Sequence, residues 1–541
     1  PNLKNNLAYA RARLSGLNKM KGFTPEVRRE YEAIFDQWVD SGYIVELDYS
    51  ELEKEDVWYL PHFPVIKPGK VRPVFDGRAE YKGQSLNSQV VPGPNSVGNL
   101  NQILLRFRRG RICLGTDIQE MFLNIRMDEA SAKFHRFLWL SEGRLRIFEF
   151  RVHIFGNAGS PSIAVFVLKS VAEELSGEFP VATETIRDSS LMDDIMDSYR
   201  DLGEAREALR GLKRVFQEAG FKAHKFVSNS EKLLEEVDVE LRAKTLVLDL
   251  PGVADSELPN VKVLGLVYLA KQDEFAFQFA PKLFETWTKR SILKVYPTLF
   301  DPLGFVSPFT LIARKVFQDA TVASPKEWDL AVPLEVLESW KGWLKSAMED
   351  LQRVRVPRYT GGCERIGEYD RMEVHTFCDA SEMGYCAVAY LVTEANGVTT
   401  VTFLLSKVKV APLKAVSMPR LELLAAELGL KVVAEVKRAH KLEGAAFHFW
   451  VDAQDVLAWV GSRTKQLPKF IGHRVAKIQD QSIIQNWRKV PGELNPADVG
   501  SRGCLIHDLM GHELWWSGPK FLTENREGWQ TAPLGNDSAA E

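Results

Sequence analysis

The chain is poor in cysteine, has no long apolar run and carries little net charge. Its five cysteines (Cys113, Cys363, Cys378, Cys386 and Cys504) are odd in number and none forms a Cys-x-x-Cys pair. That argues against a disulfide framework and fits a reducing compartment. Cys504, His507 and His512 faintly resemble zinc ligands, but a closed zinc site needs four ligands at tight spacing and a second cysteine is missing. No apolar run reaches membrane-spanning length and no signal peptide is present, so the expectation is an intracellular, cytoplasmic protein that does not enter a membrane. The formal net charge of -3 means that no global basic field announces nucleic acid; any such contact must come from local clusters such as Arg106–Arg111, which otherwise reads as a solvated face. The chain starts at Pro1 rather than Met, so it is expected to be a piece of a longer polypeptide, and Gly535–Glu541 reads as a disordered tail.

What is present is a chain of 541 residues, enough for three or four domains, with a hydrophobic share of 45% that suits packed cores rather than disorder. The N-terminus reads as two helices. Leu3, Leu7, Ala10, Leu14 and Leu17 share one face of the first. The second has Thr24 as N-cap, Pro25 at its first position, a stripe of Val27, Tyr31, Ile34 and Trp38, and Gly42 at its end. Asp40-Ser41-Gly42 has the look of an aspartic-protease signature, but it closes a helix instead of following an apolar strand. Strands and helices mix from about 59 to 270. A helical stretch interrupted by prolines follows to about 358, in which Leu337, Trp340, Leu344, Ala347 and Leu351 make a core face. Gly361-Gly362 marks a linker. Beyond it a new α/β unit is predicted, with strands at 374–379, 384–392, 401–405, 448–452 and 486–490 and a helix at 419–437.

Two groups of acids stand out. Asp193 and Asp194 sit side by side in the apolar run Ser190–Met196, which is costly in a core unless a tight strand-turn-strand presents both to a divalent cation. An isolated surface turn is the plainer account of such a pair. The apolar strand Cys113–Ile118 delivers a third carboxylate, Asp117. Three clustered carboxylates repel one another and are tolerable only with cations between them, the arrangement that two-metal phosphoryl transfer needs.

These motifs resemble the reverse transcriptase of LTR retrotransposons, most closely the BEL/Pao group. Tyr59–Pro68 and Val71–Asp76 match the fingers, followed by Ser85-Leu86-Asn87 and Val91–Pro94. Thr116–Phe122 matches the first catalytic motif, Phe155–Pro161 the substrate-side motif and Leu191–Ile195 the Tyr-x-Asp-Asp hairpin. Gly220–Lys225 and Leu264-Gly265 match later palm motifs. The resemblance implies that Asp117 and Asp193 bind both metals with support from Asp194, and that Ile118 belongs to the same metal-binding set. It places Arg72, with Lys70 or Lys67, on the triphosphate. Phe122 takes the position of a steric gate against a 2′-hydroxyl, Phe155 and Gly156 lie at the nucleotide, and Lys225 serves the leaving pyrophosphate. Without the motifs, Phe122 would read as a core aromatic and Arg72 as a surface residue. One departure is Leu191, where the family usually has Tyr.

The second group lies in the C-terminal unit. Asp379 and Asp452 end strands, Glu422 lies in the first turns of a helix, and Asp498 follows the last strand. An exposed Glu near a helix start is common by itself; the set of four resembles the two-metal site of the RNase H fold. Phe377–Ser381, Pro419–Leu423 and Asn495–Arg502 match its BEL/Pao version. Departures are Ala453 after the third acid and the lack of a histidine near Arg488–Val490.

The expected fold class is an α+β multidomain chain: an N-terminal helical segment (1–55), fingers and palm of a right-hand polymerase (56–270), helical thumb and connection (271–360), an RNase H-like α/β domain (370–505) and a C-terminal tail (506–541). The implied function is RNA-directed DNA synthesis coupled to RNase H cleavage for retrotransposon replication, as part of a Pol polyprotein in a cytoplasmic retroelement particle. Mg²⁺, with Mn²⁺ as a substitute, is expected at two ions per site. The implied partners are an RNA template, a DNA primer, an RNA–DNA hybrid and dNTPs, with specificity in cleavage resting on the 2′-hydroxyls. The rival readings are a catalytically inactive nucleic-acid-binding relic of a retroelement, and a structural protein whose acids merely decorate sheet ends.

Overall fold

The computed structural model describes residues 3–17, 19–67, 69–94, 96–246, 258–361, 369–440, 442, 445–462, 467–524 and 529. The expected tail at 535–541 and most of the expected linker after Gly361 lie outside the described residues. The chain is mixed α/β and divides into two compact units. The first comprises residues 1–98, 117–195 and 207–224; the second comprises 99–116, 196–206 and 225–541.

In the first unit, helix Pro25–Asp40 begins where the sequence predicts. The Thr24 side chain accepts from the Val27 N–H and Pro25 occupies the first turn. Gly42 follows with φ +72°, so Asp40-Ser41-Gly42 is a helix end. The helix buries Tyr31 and Phe35. Phe35 was not in the expected stripe, and it displaces Ile34, which is half-buried, because the contact face turns toward an aromatic cluster. After the helix come β1 (Ile44–Leu47), β2 (His62–Lys67) and β3 (Lys70–Phe75), and the cluster sets Phe35 against Phe137 at 4.9 Å and Phe75, at the end of β3, against Phe150 at 4.9 Å between ring centres. His62 is buried at its centre. Its Nε2–H donates to the Leu138 carbonyl at 2.9 Å, so its Nδ1 accepts from the Tyr31 hydroxyl at 2.8 Å. Burial holds its pKa down at about 4. β2 and β3 form an antiparallel hairpin with Val65 opposite Arg72 and Lys67 opposite Lys70.

β4 (Ile112–Gln119) is followed by β5 (Arg136–Ser141) and β6 (Arg144–Phe150), which pair with each other and, through β6, with β1. A hairpin of β7 (Ser190–Leu191) and β8 (Asp194–Tyr199), then β9 (Lys222–Val227), complete a four-stranded sheet in the order β7-β8-β4-β9.

The second unit carries a small antiparallel sheet of β10 (Asn260–Val263), β11 (Leu266–Leu269), β12 (Glu274–Ala276) and β13 (Arg355–Pro357). Its larger sheet is five-stranded: β14 (Arg371–Ala380), β15 (Gly384–Ala395), β16 (Val398–Val410), β17 (Ala446–Val451) and β18 (Trp487–Lys489), in the order β16-β15-β14-β17-β18. β14 runs antiparallel to β15 and parallel to β17. Helix Met418–His440 packs on this sheet, and Gly429 lets it approach closely: a Cβ there would stand 2.6 Å from the Cys378 sulfur.

Two segments pack with the five-stranded sheet. The helices Lys289–Val295, Ser307–Ala323 and Leu334–Glu349, expected in a thumb and connection segment, belong to the same unit as the five-stranded sheet. The Ser406 N–H of β16 donates to the Leu303 carbonyl at 2.9 Å, and the Trp343 indole donates to the Phe309 carbonyl at 3.0 Å. The expected tail is also folded at its start. Ile506–Met510, Glu513–Ser517 and Lys520–Thr523 are helical, and Trp515 and Leu522 are fully buried. Trp515 anchors this segment by donating its indole N–H to the Phe305 carbonyl at 2.8 Å while its own carbonyl accepts from the Tyr390 hydroxyl at 2.6 Å.

Candidate functional site

In the second unit, Asp379 is next to last in β14 and Asp452 follows the last residue of β17, so the parallel register of these strands brings both acids to one sheet edge. Glu422 points to the same place from the second turn of helix Met418–His440. The ligand oxygens of Asp379, Glu422 and Asp452 lie within 4.8 Å of one another. Asp379 and Glu422 are buried, and burial pushes their pKa values up, to about 7 and about 9; neighbouring carboxylates add to both shifts. Burial raises Asp452 as well. Glu422 Oε2 and Asp452 Oδ1 are buried with no hydrogen-bond partner. Buried carboxylate oxygens without partners are rare because the desolvation cost is uncompensated. An all-oxygen set with unsatisfied lone pairs suits a hard divalent cation of the Mg²⁺ type.

Asp498, the fourth predicted acid, is in the first turn of helix Pro496–Arg502 and pairs with Arg502 at 2.6 Å. It lies outside the group of three but close enough to raise Glu422 and Asp379 electrostatically. Sequence reasoning did not single out two supporting residues. The Ser501 hydroxyl donates to Asp379 Oδ2. The Asn495 amide donates to the Cys378 carbonyl at 3.1 Å, while its Oδ1 caps the helix that carries Asp498 and Ser501. Both fall inside the block Asn495–Arg502, so the only available signal was that block as a whole.

In the first unit, Asp117 lies near the end of β4 and Asp193 in the two-residue turn between β7 and β8. The Ile118 N–H donates to the Asp193 carbonyl at 2.9 Å, which ties the two motifs together through the backbone. Met192 has φ +58°, an unfavourable value for a side chain of its size, held by a hairpin in which Leu191 pairs with Asp194. Among the described residues, Asp117, Asp193 and Asp194 are not one of the groups with three ligand atoms within 4.8 Å. Phe122 and Phe155 come together with ring centres 4.5 Å apart; Phe122 is buried and Phe155 exposed. Gly156 has φ +101°, and a Cβ there would lie 2.1 Å from the Phe75 carbonyl oxygen, so its glycine identity follows from packing. Asn87 clamps this loop: its amide donates to the Gly156 carbonyl at 2.9 Å and its Oδ1 accepts from the Ala158 N–H at 2.9 Å. Gly156, Asn87, Gly77, Phe75 and Arg78 line a cleft of about 570 Å³. Lys70 and Arg72 are exposed on the β2–β3 hairpin. Lys225, in the second unit, has φ +56°.

A second buried group, Glu373, His375 and His448, also places three ligand atoms within 4.8 Å. The Trp450 indole N–H donates to His375 Nδ1 at 3.0 Å, so the proton of the neutral ring sits on Nε2, which donates to Glu373 at 3.1 Å. The nitrogen that a metal would need therefore already carries a proton. Arg371 also holds the carboxylate, at 2.9 Å. Glu373 and His375 form a hydrogen-bonded prop beneath the aromatic rings of Trp450 and Trp529, while both ring nitrogens of His448 are buried with no hydrogen-bond partner. Cys504, His507 and His512 are not among the grouped residues.

A family model described as a Pao retrotransposon-like RNaseH-like domain matches residues 288–453, a span that includes Asp379, Glu422 and Asp452 and starts just before helix Lys289–Val295. Two solved structures share the fold. One is the foamy viral protease-reverse transcriptase in complex with RNA/DNA hybrid (13% identity, TM-score 0.55, covering 87% of this chain and 54% of that one). The other is the foamy viral protease-reverse transcriptase dRH in complex with ds DNA (12% identity, TM-score 0.56, covering 86% and 70%). The chain thus spans about half the length of the first of these. No curated protein matches the chain.

Proposed function

We propose that this chain, whose residues 288–453 match the model of a Pao retrotransposon-like RNaseH-like domain, is the reverse transcriptase and RNase H region of a BEL/Pao-type retroelement, an RNA-directed DNA polymerase that also hydrolyses the RNA strand of its hybrid product. The observation that carries the reading is the Asp379, Glu422 and Asp452 group: three carboxylates at the edge of a mixed sheet, with buried unpaired oxygens and raised pKa values. The first unit is read as fingers and palm, with β2–β3 as the fingers hairpin and the β7–β8 turn as the catalytic hairpin. The helices between 289 and 349 are read as a connection to the RNase H sheet.

At the RNase H site, Asp379, Glu422, Asp452 and Asp498 hold divalent cations. Bound Mg²⁺ lowers the pKa of a coordinated water and neutralises charge on the scissile phosphate. Ser501 orients Asp379 by donating to Oδ2. Arg502, fixed by Asp498, stands at the rim where a phosphate backbone would pass. At the polymerase site, Asp117 and Asp193 take the metal-binding roles with Ile118 alongside, and Asp194 supports the hairpin. Lys70 and Arg72 neutralise the triphosphate of a dNTP. Phe122, backed by Phe155, is a rigid wall against a ribose 2′-hydroxyl. Gly156, held by Asn87, brings backbone to the incoming nucleotide.

Two assays on the full chain test this. Metal-dependent cleavage of an RNA–DNA hybrid is expected, and Asp379→Asn abolishes it. Metal-dependent primer extension on an RNA template is expected, and Asp193→Asn abolishes it. No cleavage and no extension in either Mg²⁺ or Mn²⁺ would sink the proposal.

A further inference from the structure

His224 belongs to none of the roles above. It lies on β9, the strand beside β4, and its Nδ1 is 3.1 Å from the Asp117 carbonyl oxygen and 3.3 Å from Asp117 Oδ1. A carbonyl oxygen has no proton to give, so Nδ1 carries the hydrogen and directs it between these two acceptors. In a neutral ring that is the only N–H, and it is spent on Asp117. The contact is largely shielded, with the His224 side chain 25% exposed and that of Asp117 19%. The next residue, Ile118, donates its N–H to the Asp193 carbonyl. Asp117 is therefore held on one side through its own carbonyl and carboxylate, and on the other through its peptide link to Ile118. The flanking backbone is unusual as well: Lys225 and Glu120, neither a glycine, have φ of +56° and +51°. Such conformations persist only where the surroundings enforce them.

We propose that His224 is a positioning residue for the first-unit metal site: its Nδ1–H fixes the rotamer of Asp117. This rests on reading Asp117 as a metal ligand. Residues that hydrogen-bond to metal ligands typically change metal affinity by about 10- to 100-fold when removed. The stereochemistry makes the role specific. An Asn side chain places its amide N–H close to where Nδ1 stands, whereas Gln carries its amide one bond further, toward the position of Nε2.

The test uses the full chain with Asp379→Asn, which removes a ligand from the other carboxylate site, and follows free Mn²⁺ by electron paramagnetic resonance during titration. His224→Ala and His224→Gln should weaken Mn²⁺ binding by about tenfold or more, and His224→Asn should stay within about twofold of the parent. Primer extension should show the same order in the Mg²⁺ concentration for half-maximal rate, with the KM for dNTP unchanged at saturating Mg²⁺. Asp117→Asn separates the two levels of the argument. If it weakens Mn²⁺ binding and His224→Ala does not, the positioning role is overturned while the site stands. If neither changes the titration, the metal-site reading of Asp117 falls, and this role with it. Equal weakening by Asn and Ala would also overturn the role.

Discussion

Replacing Asp379 by Asn should make the metal-free protein more stable in alkaline solution while reducing its response to Mg²⁺. The sign follows from the raised pKa values, about 7 for Asp379 and about 9 for Glu422. An acid whose folded pKa lies above its unfolded value keeps a proton that the unfolded chain has already lost. Its contribution is therefore intact below the ordinary carboxylate pKa and is lost as pH rises through 7 for Asp379 and 9 for Glu422. At roughly 1.4 kcal/mol per unit, the three-unit displacement of Asp379 corresponds to at most about 4 kcal/mol near pH 8. Asparagine carries no charge and keeps an oxygen for the Ser501 hydroxyl, so a gain of about 1–3 kcal/mol is expected there. The assay is urea unfolding of the full chain in EDTA near pH 8 and near pH 4, repeated with millimolar Mg²⁺. The variant should be the more stable protein at pH 8 in EDTA, and the difference should vanish at pH 4. The parent should gain more from Mg²⁺ by mass action than the variant, which keeps only the first-unit site. A variant that is less stable at pH 8 in EDTA, or that still gains from Mg²⁺ as the parent does, would refute the claim that these acids are held together for a cation.

Phe122→Val should open the wall against the 2′-hydroxyl, lowering discrimination against ribonucleotides by roughly tenfold or more in competitive primer extension; unchanged selectivity would return Phe122 to the core. His62, His135 and His375 are held neutral by burial with pKa values near 4, and His440 near 3, so stability should fall as pH drops below about 6.5. Unfolding midpoints that stay flat between pH 6.5 and 4.5 would contradict this. Leu191→Tyr should change the primer-extension rate with little effect on folding, because Leu191 is half-buried beside Asp194; an unaltered rate would make the position one of packing.

The α/β unit was the most legible part of the sequence. Its strands are long, apolar and bounded by acids, and the expected spans at 374–379, 384–392, 401–405 and 448–452 overlap β14 to β17. Helix Pro25–Asp40 was equally plain because its cap is local, but its buried face was read through Ile34, since the pull of the aromatic cluster on Phe35 comes from residues about a hundred positions away. The same limit hid the supporting groups. Ser501 meets Asp379 across 122 residues, Asn87 meets Gly156 across 69 and His224 meets Asp117 across 107. No periodicity or short motif encodes such pairs. The buried prop of Glu373 and His375 was invisible for a related reason: alternation in a strand says which face a residue takes, and only the packed structure says what waits there.

The docking of residues 303–318 against β16 has a consequence for how this chain can be divided. β16 is the edge of the five-stranded sheet, and outward backbone groups in its C-terminal half are taken by this segment. Ser406 N–H goes to the Leu303 carbonyl, the Val408 carbonyl accepts from Arg314, and just beyond the strand the Ala411 carbonyl accepts from Gln318. Gly304 is seated so closely that a single added carbon would meet the Ser406 carbonyl at 2.3 Å. A fragment that began at residue 369 would bare that edge as a template for strand addition by another molecule. The smallest fragment that folds without aggregating should therefore begin near residue 288, and cleavage at a protease site engineered between residues 361 and 369 should leave two pieces that remain associated and migrate together under native conditions.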